Sequence, residues 1–322
     1  MSRYLRQTCL PEVGETGQTL LASARILVVG AGGLGCAALP YLVGAGVGQI
    51  TLVDGDVVSL SNLHRQVLYR EADVDLPKVE CAKRHLDDLN NNCVITTHFT
   101  TLTPSNVDVF CHEMDVILDC ADNFAVSYVL SDYCHAHNLK LVSASALGFK
   151  GYIGGFCGGK PSLRAIFPEL PQRAENCSSA GVMGPIVGTI GCLQAQFTLN
   201  LLLNIEPSPL GQLVSIDLHN LRQSGFRFDD APEPSENQLL GFIDTDEVTS
   251  QDWLVDLRKI NKQEGVQYFT LDEFDQQQAQ PHTHQRAVLV CRTGLTAWRA
   301  ARKLQTYWQG EIKLIALGDD PL

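Results

Sequence analysis

The amino-acid sequence predicts an α/β protein: a doubly wound, mostly parallel sheet extended by antiparallel strands, with a small second α/β domain behind it. Three observations carry this. Short β-branched apolar runs alternate with helical segments through the first half. A glycine turn joins the first run to its helix, and an acidic, proline-rich break precedes a second strand-loop-helix pattern. The 322 residues are 45% hydrophobic and 19% charged, enough for two cored domains and too apolar for disorder. With 24 Lys and Arg against 36 Asp and Glu the net charge is -12. That argues against binding nucleic acid or anionic membranes through a bulk field, and leaves any anionic ligand to a few local cations.

RILVV at 25–29 is the first strand, GAGGLGCAALPYLVGAG opens the first helix, and QITLVD at 49–54 is the second strand, ending in an acid. VITTHF at 94–99, DVILDCAD at 115–122 and LKLVSAS at 139–145 continue the series. GFKGYIGGFCGGK at 148–160 is too glycine-rich for a helix and alternates like an antiparallel strand, and VSIDL at 214–218 resembles another. From Asn176 to Ile205 no side chain is charged, a length that would cross a membrane. Pro185, Gln194, Gln196, Asn200 and Asn204 interrupt it, so the expectation is a buried loop and a core helix. DDAPEPSEN at 229–237 reads as an exposed linker. The expected division is therefore 1–228, a linker at 229–243, and 244–322, where AVLVC at 287–291 is a strand and AWRAARKLQTYW at 297–308 a helix. There is no internal repeat.

The 11 cysteines are odd in number, scattered through apolar runs and never spaced C-x-x-C, so neither a disulfide framework nor a zinc knuckle is written here. Residues 1–10 carry no apolar segment of signal-peptide length. A reducing, cytoplasmic location is expected.

Gly30, Gly32, Gly33 and Gly35 follow a strand and open a helix, where backbone N–H groups and the helix N-terminus meet phosphate. This Rossmann-like fingerprint also serves NAD enzymes, with Asp54 on a ribose hydroxyl in either case, and glycines needed only for packing give the same pattern. The following D-G-D-V-V-S-L-S-N-L-H-R-Q run favours a triphosphate: Asn62 and Arg65 share one polar turn and Lys78 follows in LPKVE. Asp122, followed by Asn123, suits Mg2+, which takes one or two carboxylates plus phosphate oxygens.

GAGGLG, the D-x-D pair Asp54 and Asp56, SNLHRQ, PKVE, DCADN, SASALGFKG and AGVMGPIVGTIG together resemble the ThiF/MoeB/HesA family over about residues 3–220. Those proteins adenylate the C-terminal Gly-Gly of small ubiquitin-like sulfur carriers. The resemblance implies an ATP site lined by Gly33, Asp56, Ser61, Asn62, Leu63, His64 and Arg65, with Asp54 on the ribose, Lys78 on the phosphates and Asp122 carrying magnesium. His64 is a spacer or minor contact. Arg6 is similar to the family arginine that reaches the partner's ATP across a homodimer, and a persulfide donor such as a cysteine desulfurase is an expected partner. Relatives bind a structural zinc through two C-x-x-C pairs; here Ser162 and Ala165 stand where the first pair's cysteines would, so no structural zinc is expected. Cys177 matches the crossover-loop cysteine, either a thiol or persulfide nucleophile or a loop residue without a role.

VLVCRTGLTAWRAARKL resembles the active-site loop and helix of rhodanese domains, and VDLR at 255–258 their early strand. Thr296 replaces a common loop arginine and the segment is shorter than usual, a truncated rhodanese-like domain. Backbone N–H groups, a helix N-terminus and Arg292 around Cys291 would favour a thiolate or persulfide; a degenerate domain kept for docking is the other reading. The expected activity is ATP-dependent adenylation of a carrier's Gly-Gly carboxylate. An NAD(P)-dependent oxidoreductase and a carrier-binding pseudoenzyme are the alternatives.

Overall fold

The computed structural model describes residues 3–170, 181–235, 239–258, 264–282, 284–320 and 322. The chain opens with α1 (Leu5–Thr8) and α2 (Gly14–Ser23), then β1 (Arg25–Val29), α3 (Gly33–Ala45) and β2 (Gln49–Val53). It continues through α4 (Lys78–Leu89), β3 (Val94–His98), α5 (Val107–Cys111), β4 (Val116–Asp119), α6 (Phe124–Ala136), β5 (Lys140–Leu147) and β6 (Lys150–Cys157). Next come α7 (Leu163–Ile166), α8 (Gly184–Leu202), β7 (Gln212–Asp217) and β8 (Arg222–Arg227). These strands form one eight-stranded sheet in the order β3-β2-β1-β4-β5-β6-β7-β8, parallel through β5 and antiparallel beyond it.

Alternation along β1 shows why the sheet is covered on both faces. Ile26 and Val28 enter the core under α3, α4 and α8, whereas Leu27 and Val29 enter the core under α5, α6 and α7. The chain leaves β1 toward β2 and β3, then returns to lay β4 on the other side. The crevice at the carboxyl ends of β1 and β4 is thus a topological switch point, where open α/β sheets bind ligands.

The expected strands all form, and β8 adds one that alternation did not show. All six of its residues are exposed, so no apolar face marked it; pairing with β7 and the bonds from Arg227 to Asp229 and to the Ser208 and Leu210 carbonyls hold it. The uncharged stretch yields α8, packed on α3 and carrying buried Gln194 and Thr198. Among the described residues no helix is long and apolar enough to cross a membrane.

The remaining elements are β9 (Gly241–Phe242), β10 (Trp253–Asp256), α9 (Leu271–Asp275), β11 (Ala287–Cys291), α10 (Leu295–Leu304) and β12 (Ile312–Ala316). They give a parallel four-stranded sheet, β10-β11-β12-β9. Two differences from expectation have clear causes. β9 falls inside the stretch read as linker, because buried Leu240 and Ile243 anchor it although prolines precede it. The helix runs from 295 to 304 rather than 297 to 308, because it starts at buried Leu295.

The second sheet is docked on the first unit. Trp298 packs on Tyr128 of α6 at 5.5 Å, and the guanidinium groups of Arg164 and Arg302 both lie over its ring. Arg164 pairs with Asp132 through two bonds of 2.5 and 2.8 Å and donates to the Leu240 carbonyl. Arg302 pairs with Glu169, and Ser105 with Asp244.

Candidate functional site

The carboxyl ends of β1, β2 and β4 open into a cavity of about 690 Å³. Its floor is the glycine turn, where each glycine answers a different neighbour. Gly30 has φ +102, and a Cβ there would lie 2.6 Å from the Cys120 carbonyl oxygen, so the β1 turn presses on the end of β4. A Cβ on Gly33 would meet Val187 at 2.5 Å, and one on Gly35 would collide with the Gly30 carbonyl. Packing explains those three. Gly32, which precedes the first turn of α3, is different: a Cβ there meets nothing closer than Gln66 Nε2 at 3.7 Å, so the space beside it belongs to the cavity.

Charged groups converge around that space. Asp54 ends β2 and accepts 2.7 Å hydrogen bonds from the backbone N–H groups of Ala31 and Asp56, which lock it to the glycine turn. Burial raises its pKa above the usual carboxylate range, while the Lys78 charge and these two N–H groups pull it back. Lys78 begins α4 with its side chain 6% exposed, and its Nζ reaches out to Asp56 Oδ2 at 2.7 Å. Arg65 lies in the turn that follows the 3-10 helix at 60–62 and is held by Asn62 Oδ1 at 2.7 Å. Asp122, exposed at the β4 end, has no hydrogen bond or ion pair among the described residues. Gly30, Gly32, Gly33, Asp54, Asp56, Asn62, Arg65, Lys78, Asp122 and Asn123 all line this one cavity.

Several expected residues lie elsewhere. Gly35 is buried in α3, and Ser61, Leu63 and His64 are not among the lining residues; His64 Nδ1 sits 3.1 Å from the Ser61 carbonyl. Arg6 is exposed on α1. Cys177 lies outside the described residues. Cys291 ends β11 in the other sheet, 3% exposed, its Sγ accepting the Ala297 N–H at 3.3 Å. Ser162 caps α7 by accepting from Ala165 N, and its hydroxyl and N–H both donate to the Glu233 carboxylate at 2.6 Å.

Other groups at the site escaped the sequence reading. Gln66, one place beyond Arg65, lines the cavity, as do Thr100, Thr101 and Leu102 after β3. Asp119 is fully buried behind the Asp122 turn, accepts from Ser143 Oγ at 2.7 Å and from Ala121 N at 3.2 Å, and is raised in pKa by burial. Tyr152 lines the same cavity beside Phe167, at the end where Tyr128, Glu169 and Leu170 also contribute. Strand order brings Asp119 and Tyr152 to the site, whereas Gln66 shares the Arg65 turn and is marked out only by its burial.

The residues fit a nucleoside triphosphate with a divalent cation. The open place at Gly32, two cations and the helix N-terminus suit phosphates, and unpartnered Asp122 suits a metal shared with them. Among the described residues no three His, Cys, Asp or Glu cluster, so such a metal would rest on Asp122 and the ligand's own oxygens.

Comparison with known proteins gives a consistent picture. The ThiF family pattern matches residues 4–239. The adenylyltransferase and sulfurtransferase MOCS3 of Culex quinquefasciatus is 42% identical over 230 residues, covering 70% of this chain and 52% of that protein. The enzyme of the same name from Sus scrofa is 43% identical over 67% of this chain and 48% of its own length. Aspergillus terreus adenylyltransferase and sulfurtransferase uba4 is 44% identical over 63% and 44%. The chain thus spans about half the length of these relatives. Among solved structures, E. coli MccB with ATP superimposes with a TM-score of 0.63 at 22% identity, over 72% of this chain and 73% of that one. MccB with MccA-N7isoASN gives 0.65 at 22%, over 72% and 74%.

Proposed function

The chain belongs to the ThiF family, and on that premise we propose that it adenylates the C-terminal Gly-Gly carboxylate of a small ubiquitin-like sulfur-carrier protein with ATP. The observation that carries this is the convergence of Arg65, Lys78 and Asp122 on the one cavity that holds the open Gly32 turn. The curated relatives' names, adenylyltransferase and sulfurtransferase, point the same way.

The chemistry asks a carboxylate oxygen to attack the α-phosphorus while the bond to the β-phosphate oxygen breaks and pyrophosphate leaves. Two anions must approach, so the first task of the site is charge neutralisation. Lys78 is pre-placed for it: its exposed partner Asp56 holds it weakly and is readily exchanged for a phosphate. Arg65, fixed by Asn62, presents a planar donor fork to phosphate oxygens. Asp54, anchored by two backbone N–H groups, keeps lone pairs for ribose hydroxyls. Mg2+ held by Asp122 and the ligand's own oxygens would supply further positive charge at the phosphates. No general base is needed, because the attacking carboxylate is already ionised at neutral pH.

The adenylated tail is then an electrophile for sulfur. Cys177 and the truncated rhodanese-like domain's Cys291 are the two candidate thiols, charged by a persulfide donor such as a cysteine desulfurase. The reading also includes a homodimer in which Arg6 reaches the partner's nucleotide, a cytoplasmic setting, and no structural zinc, the corner at Ser162 being tied by Glu233 instead. ATP–pyrophosphate exchange tests the core of it. Exchange that depends on a Gly-Gly carrier and vanishes in Arg65→Ala supports the proposal; turnover of NADH without exchange overturns it.

A further inference from the structure

Among the described residues that line the cavity, Gln66 is the one whose side-chain amide is buried and idle. Only 3% of the residue is exposed, and its Oε1 is sealed from solvent without a hydrogen-bond partner. Its Nε2 makes no hydrogen bond among the described residues either, and it faces the glycine turn, 3.7 Å from where a Gly32 Cβ would stand. Buried amides are almost always paired, and leaving one unpaired destabilises the fold. Turned over, the same side chain would aim a lone pair at the place where a phosphate meets the α3 N-terminus. As it stands, the amide nitrogen with its N–H donors is the atom nearest that place. The orientation therefore suits an anion that enters beside Gly32, and the unpaired Oε1 is what that orientation costs.

We propose that Gln66 donates from its side-chain amide to the phosphate chain of the bound nucleotide where that chain passes Gly32. The backbone makes this placement firm. Gln66 N donates to the Asn62 carbonyl at 3.0 Å, in the same turn that carries Arg65, so amide and guanidinium reach the cavity from one rigid segment. Gln66 is thus a third phosphate donor beside Arg65 and Lys78; unlike both it carries no charge, and unlike Lys78 it has no carboxylate to release first.

The inference rests on the reading of the cavity as an ATP site, and its test separates the two. Binding of ATP and of adenosine to the full chain is measured by calorimetry for wild type, Gln66→Met and Gln66→Glu, alongside thermal midpoints. Losing a hydrogen bond to a charged oxygen should weaken ATP about tenfold or more in Gln66→Met and leave adenosine within about twofold. Gln66→Glu should weaken ATP further, because its carboxylate repels the phosphates. The Gln66→Met midpoint should not fall, since the variant discards an unpaired polar group, whereas a merely structural role predicts a lower one. Gln66→Met that binds ATP like wild type, or that loses ATP and adenosine alike, overturns the role of Gln66 alone. Should Gln66→Met fail to fold, wild-type ATP affinity in Gln66→Glu overturns it equally. A wild-type protein that binds no ATP overturns the ATP reading together with it.

Discussion

The chain uses the same local device twice, a strand followed by a glycine-bearing loop and a helix, and the two copies end in opposite states. After β1, the turn at 30–35 leaves the α3 N-terminus facing an open cavity, and the side chains of Asp122 and Gln66 around it have no partner among the described residues. After β11, the loop at 292–294 is closed. The Cys291 thiol takes the Ala297 N–H, and a Cβ on Gly294 would strike Phe242 at 2.6 Å and approach Ala125 of α6 at 3.6 Å. What separates them is the surface opposite, since residues of α6 and β9 fill the second loop while the first faces free volume. A glycine loop before a helix is therefore evidence of a ligand site only where a Cβ would meet open space.

The largest expected effect breaks the open copy. Arg65→Ala or Asp122→Ala should lower carrier-dependent pyrophosphate exchange by about a hundredfold or more, as loss of a preorganised charge contact does. Neither side chain is buried, so the thermal midpoint should hold; a fall in midpoint equal to the loss of exchange would mean a structural role.

Glycine substitutions sharpen the comparison directly. Gly32→Ala should fold normally yet bind ATP about tenfold or more weakly, because its methyl group occupies ligand space. Gly35→Ala should be strongly destabilised in thermal unfolding, since its methyl group has only the Gly30 carbonyl to push against. Equal behaviour of the two would erase the distinction.

The closed copy predicts slow thiol chemistry. Cys291 should react with iodoacetamide at least about tenfold more slowly than exposed Cys9, because alkylation requires the buried sulfur to be uncovered. Weakening the docking with Asp244→Ala and Arg302→Ala together should speed it several-fold. Peptide mapping of the labelled protein decides, and an unchanged rate would place the barrier within the loop rather than at the docked surface.

The smallest effect is in pH. With its pKa raised by burial, Asp54 takes up a proton at a higher pH than a free carboxylate does. Between the ordinary and the raised value the folded protein binds more protons than the unfolded one, so this group's contribution to stability falls as pH rises through that window. Nucleotide binding, which uses the ionised acceptor, strengthens across the same window. Asp54→Asn should flatten both slopes in paired unfolding and binding titrations.

How much of this was readable in advance follows the physics of each element. Six strands of the main sheet announced themselves through apolar runs and β6 through its glycine-rich alternation, and the glycine turn with Asp54, Asn62, Arg65, Lys78 and Asp122 through residue type after the strands. β8 was silent because an edge strand with every residue exposed has no apolar period. Gln66, Asp119 and Tyr152 were silent because their significance lies in burial and in neighbours from distant strands. The closure over Cys291 was equally hidden, since it depends on α6 and β9 meeting a loop far along the chain. Local chemistry is legible in a sequence; what stands opposite it is not.

The central claim is that the open turn binds ATP and hands its adenylyl group to a carrier tail. Intact mass of a Gly-Gly carrier incubated with the protein, ATP and magnesium tests it most directly. The account predicts a carrier heavier by one adenylyl group with wild type and unmodified with Arg65→Ala. A carrier left unmodified by wild type, under conditions where ATP demonstrably occupies the cavity, would contradict it.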